Sequence, residues 1–86
     1  MFWIARLNRH AELVERMADT LGVDLAEEAM RGRMSPEQIR TNVLNCVGCA
    51  YPDGCEKWLA DHKDGASETP GYCRNKSMLD RLAAAQ

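Results

Sequence analysis

The sequence predicts an all-α fold, a small bundle of four to five short helices forming one domain over residues 1–86, with a four-cysteine site at helix ends. Three observations lead to it. Apolar residues recur at helical spacing, and no stretch shows the alternation of a half-buried strand. Glycines, prolines and capping residues cut the chain into short segments. Cys46, Cys49, Cys55 and Cys73 fall where those segments begin or end. A domain of 86 residues buries only a modest core, so a metal or disulfide staple would suit it.

The first helix runs from the N-terminal region through His10, Leu13, Val14, Met17, Ala18 and Leu21, with Arg9, Glu12, Glu15, Arg16 and Asp19 on the opposite face. Gly22 stands where a helix-ending glycine belongs. A second, shorter helix has Asp24 as its cap, Leu25, Ala29 and Met30 as its apolar edge, and Gly32 as its stop. Ser35-Pro36-Glu37-Gln38 combines an N-cap, a proline for the first turn and a reciprocal capping glutamine. Helix three then buries Ile39, Val43, Leu44 and Val47 and runs into Cys46 and Cys49. Tyr51-Pro52-Asp53-Gly54 breaks it, and Asp53 caps a fourth helix carrying Cys55, Trp58 and Leu59. Residues 63–71 are polar with glycine and proline, a surface loop. Asn75 caps a last helix that uses Met78, Leu79 and Leu82.

The net charge of -2 argues against a nucleic-acid binder, whose footprint would be a basic stripe. No run approaches the ~20 apolar residues of a membrane span, and the opening Met-Phe-Trp-Ile-Ala is too short for a signal peptide. The expected location is the cytoplasm, where thiols stay reduced and structural disulfides are rare. No Ser/His/Asp or Cys/His constellation, phosphate loop or carboxylate pair stands out, so an enzyme is not the expectation.

The cysteines follow the pattern C-x2-C-x5-C-x17-C, and four thiols are a full ligand set for one zinc ion or one iron–sulfur cluster. Cys46 and Cys49 are three apart, so at a helix end both point to one side. Cys55, in a first helical turn, and Cys73, just ahead of another, meet helix N-termini whose dipoles favour thiolates. Cys46-Val47-Gly48-Cys49 resembles the opening of bacterial ferredoxin cluster motifs, although the x2-C-x3-C-P continuation is absent. Zinc ribbons usually bring two short-spaced pairs, whereas Cys55 and Cys73 are split. An iron–sulfur cluster of the 4Fe–4S type therefore ranks first, zinc second, and disulfides or uncommitted thiols third. A thioredoxin-like Cys46–Cys49 pair lacks its βαβ setting.

The run from Leu21 to Cys49, then Cys55-Glu-Lys-Trp58-Leu-Ala and Pro70-Gly-Tyr-Cys73-Arg-Asn, resembles a family of short alphaproteobacterial proteins known only as a domain of unknown function. The likeness covers roughly residues 11–82 and implies a shared four-cysteine site without implying an activity. In that family proline often follows the last cysteine, where this chain has Arg74.

Other residues carry weaker expectations. His62 could replace a cysteine ligand but reads as a solvated helix-end histidine. His10 is far from the cysteines in sequence and reads as a helix-face residue. Trp58, one turn after Cys55, would either pack in the core or shield a cluster from water. Arg31, Arg33, Lys57 and Arg74 are expected on the solvated surface. Met1-Phe2-Trp3-Ile4 is expected to extend helix one onto its own core, the alternative being an exposed contact with a partner or a second copy through Phe2, Trp3 and Ile4. The function these readings favour is a small iron–sulfur protein serving a protein partner by electron transfer or redox sensing. The alternative is a zinc-stapled adaptor without chemistry of its own.

Overall fold

A long apolar stripe makes the first helix the backbone of the molecule. In the computed structural model, which describes residues 2–85 and the side chains of residues 3–85, α1 spans Phe2–Thr20. It is followed by α2 (Leu25–Met30), α3 (Pro36–Val47), α4 (Pro52–Asp61) and α5 (Lys76–Ala84). All regular structure among the described residues is helical, and α1 packs chiefly against α3 and α4. None of these helices is long and apolar enough to cross a membrane.

The stop signals work as the sequence suggests. Gly22 and Gly32 adopt φ values of 79° and 74°, a left-handed conformation that only glycine takes without strain. There the chain doubles back. Val23 N–H donates to the Ala18 carbonyl and Gly22 N–H to Asp19 after α1; Arg33 and Gly32 repeat this with Glu28 and Ala29 after α2. The Asp24 carboxylate accepts from Glu27 N–H, and Ser35 and Gln38 form the reciprocal capping box of α3.

Two start signals act differently. The cap position of α4 is Tyr51, without a side-chain cap; Asp53 lies inside the first turn and pairs instead with Arg9 of α1 at 2.8 Å. Asn75 occupies the cap position of α5, but its amide is used in the interior rather than on its own helix.

The core joins Leu13, Met17, Ala18, Leu21 and Val23 to Leu59 of α4 and Leu79 of α5. Cys46, Cys55, Trp58, Cys73, Met78 and Leu82 pack against it. Two expected core residues are outside: Met30 is 83% exposed and Leu44 56%. In their helices Glu28 and Asn42 turn inward: Arg33 reaches the Glu28 carboxylate, and Asn42 Nδ2 donates to Met78 Sδ at 3.6 Å. Arg33 holds the Glu28 carboxylate with two hydrogen bonds, so Arg33 is no idle surface charge. The 63–71 loop is likewise anchored, with Ala66 N–H donating to Thr20 and Thr69 buried.

The N-terminal expectation also changes. Met1 and the Phe2 side chain lie outside the described residues, whereas Trp3 is 67% and Ile4 42% exposed. These two ring and branched side chains extend α1 beyond the surface that α3 and α4 cover, rather than packing on the core.

Candidate metal centre

Three chain segments bring the cysteines to one place. Cys46 sits in the last turn of α3, and Cys49 follows one residue beyond its C-cap Gly48. Cys55 lies at the end of the first turn of α4, its N–H bonded to the Tyr51 carbonyl. Cys73 precedes α5, inside a turn closed by Cys73 N–H to Pro70 and Lys76 N–H to Cys73. All four line a single cavity of about 30 Å³ whose other walls include His10, Leu13 and Met17 of α1, Tyr72, and Leu79 of α5. No cysteine is in a disulfide, and each side chain is half-buried.

Among the described residues, no three His, Cys, Asp or Glu side chains are drawn together tightly enough to hold a single metal ion. The four thiols nevertheless sense one another. Burial pushes Cys46 up to about 12, with Cys55, Cys49 and Cys73 adding repulsion. Burial likewise raises Cys55 to about 11, with Cys73 and Cys49 contributing. Cys73 is also raised by burial, against the pull of the Asn75 backbone and the Thr69 side chain. The helix N-termini therefore do not produce the lowered thiol pKa values expected at Cys55 and Cys73. Desolvation of a half-buried anion outweighs them.

His10 departs furthest from expectation. It is 3% exposed and places Nδ1 3.3 Å from Cys46 Sγ, thirty-six residues away in the chain. Burial, then the charges of Arg6 and Arg9, lower its pKa, so the imidazole is neutral at neutral pH. The signal was present in the sequence: a polar residue on a stripe of Leu13, Val14 and Met17 is carried into the core and must find a partner there. His62, by contrast, caps α4, stacks on Trp58 with ring centroids 4.0 Å apart, and has its Nδ1 2.7 Å from the Trp58 carbonyl oxygen. Neither His62 nor Trp58 lines the cavity of the cysteines.

The surrounding frame is polar and specific. Asn75 Nδ2 donates to the Asn42 carbonyl at 2.8 Å, and Asn45 Nδ2 donates to Asn75 Oδ1 at 3.1 Å, tying the Cys73 segment to α3. Arg6 and Arg74 donate to the Val47 and Gly48 carbonyls at the C-terminus of α3. Arg74 is thus exposed but engaged, and it also lines the cavity. Tyr51 N–H donates to Cys49 Sγ at 3.4 Å, and the Tyr51 ring stacks on Tyr72. What this arrangement can do chemically follows from its donors: soft sulfur ligands in a largely apolar pocket suit zinc or iron–sulfur chemistry.

No curated protein and no solved structure matches the chain. A family model does match, over residues 1–85, and the chain accordingly belongs to DUF6455, a family of unknown function.

Proposed function

We propose that the chain is a small iron–sulfur protein in which Cys46, Cys49, Cys55 and Cys73 hold one cluster, used for electron transfer or redox sensing with a protein partner in the cytoplasm. The observation that carries this reading is that four thiols from three segments line one largely apolar cavity, a full soft-donor set whose Cys46-Val47-Gly48-Cys49 opening resembles that of ferredoxin cluster motifs. The donor set fits the group. The cluster would supply one-electron chemistry; the chain's own residues supply the ligands, the apolar walls and the hydrogen-bond frame.

The exposed Trp3 and Ile4 offer a contact for the partner or for a second copy of the chain. The test is composition. Protein purified without oxygen should contain roughly four irons and four acid-labile sulfides per chain and show a broad brown absorption band. Cys46→Ser or Cys73→Ser should abolish most of the iron. Stoichiometric zinc on a colourless wild-type protein would overturn the reading and leave a zinc-stapled adaptor.

A further inference from the structure

Two arginines at the cysteine cavity are engaged differently from those around them. Arg9, Arg31 and Arg33 each reach a carboxylate, at 2.6–2.8 Å. Arg6 and Arg74 are exposed and donate instead to backbone, Arg6 Nη2 to the Val47 carbonyl at 3.0 Å and Arg74 Nη1 to the Gly48 carbonyl at 3.1 Å. Those carbonyls are consecutive, so two guanidinium groups meet at the end of α3, immediately ahead of Cys49. Complementing the helix dipole uses one N–H of the five that each guanidinium carries. The remaining donors suit a carboxylate, which a guanidinium binds with two parallel hydrogen bonds. Among the described residues, Arg74 is also the only one with a full charge on the wall of the cysteine cavity.

Aromatic rings flank the pair. Tyr51, two residues past Cys49, is 59% exposed, and its ring stacks on Tyr72, which lines the cavity. Trp3 precedes Arg6 by three residues and therefore shares its face of α1. Exposed arginine together with tyrosine and tryptophan is the composition of an interface rather than of an ordinary solvated surface. The carboxylates of Asp53 and Glu56, in the first half of α4, are held by Arg9. The positive face is thus local, on a chain whose net charge is -2.

We propose that Arg6 and Arg74, flanked by Tyr51 and Trp3, form the face on which this chain docks a protein partner presenting carboxylates, beside the wall of the cysteine cavity. That the partner is a redox protein rests on the cluster reading above; the sign of its surface rests on the arginines. Charge complementarity of this kind steers encounter and fixes orientation, and it would bring a partner's acceptor up to the cysteine side of the molecule.

The experiment uses the full chain, purified without oxygen, on gold coated with a carboxylate-terminated monolayer, with a hydroxyl-terminated monolayer as reference. At low salt the wild type should adsorb on the carboxylates, read as mass by surface plasmon resonance, although its net charge alone predicts repulsion. Its cluster should exchange one electron with the gold, read as a reversible voltammetric wave. Both signals should fade by roughly 0.3 M salt, where exposed charges are screened within a few ångströms. The Arg6→Gln, Arg74→Gln double variant should adsorb about tenfold less, and the corresponding double lysine variant should stay near wild type. Ala50→Glu should cause a comparable loss by adding a carboxylate to the exposed stretch between Gly48 and Tyr51. It removes no side-chain bond, so it decides alone if the glutamine variant fails to fold. Lys63→Gln, a change beside Asp19 and Thr20 at the far end of α1, should adsorb as wild type does.

Equal adsorption on the two monolayers overturns the inference, as does adsorption that Ala50→Glu leaves unchanged. A dimer in light scattering that Ala50→Glu dissolves would assign the face to a second copy and overturn it too. The adsorbed mass does not depend on iron. Protein that adsorbs through these residues but contains no iron and gives no wave keeps the docking face and refutes the cluster reading separately.

Discussion

Cys46 and Cys55 are pushed up to about 12 and about 11 because each thiolate would be half-desolvated among other thiols. This has consequences at both ends of the pH scale. At neutral pH the thiols are protonated, so loading a metal must release protons, and affinity rises with pH. For the chelated, reduced chain the sign is the opposite. A folded-state pKa raised from an ordinary value of 9.0 stabilises the fold fully below that value, and the contribution is lost as pH climbs towards about 12. The urea midpoint of chelated protein should therefore fall across that window, and more steeply in wild type than in Cys46→Ala. Parallel curves for the two proteins would show that Cys46 is not desolvated as described.

At the scale of elements, α3 delivers two of the four cysteines, and its far end is the best-capped in the chain. Ser35 Oγ accepts from Gln38 N–H at 3.2 Å, and Gln38 Oε1 accepts from Ser35 N–H at 2.7 Å. Ser35→Ala should lower stability by about 1 kcal/mol, read as a shift of the urea midpoint at unchanged slope. It should leave the visible spectrum of the loaded protein alone, because the cap is at the opposite end of the helix from Cys46. A changed spectrum would mean that α3 moves as a lever on the site. The other end of α3 is held from outside, by Arg6, Arg74 and the Asn75 amide, so Cys46 and Cys49 are positioned by α1 and by the Cys73 segment as much as by their own helix.

At the scale of the whole molecule, core and site share residues. Leu79 is 1% exposed, belongs to the central cluster and also lines the cysteine cavity. Leu79→Ala should lower stability by about 2–5 kcal/mol, a large share of the total for a domain of this size. Added iron and sulfide should raise the urea midpoint of the variant, since binding to the folded state alone stabilises it. A variant whose midpoint stays put on loading would show that it no longer binds iron and sulfide, so that Leu79 supports the site as well as the core.

The sequence by itself determined the helices and their stops. The capping box at Ser35 and the left-handed glycines 22 and 32 are local chemistry, decided within a few residues, and so are readable without a partner. The grouping of Cys46, Cys49, Cys55 and Cys73 was legible as a pattern because their spacing matches helix ends. Only the tertiary structure decided what faces inward where polar and apolar residues compete. Glu28 is buried and Met30 exposed because Arg33 reaches the carboxylate, and Asn42 is buried because the Cys73 segment lies over it. The same holds for His10 beside Cys46: its partner lies on another element, and periodicity reports a residue's face but never what the fold brings to meet it.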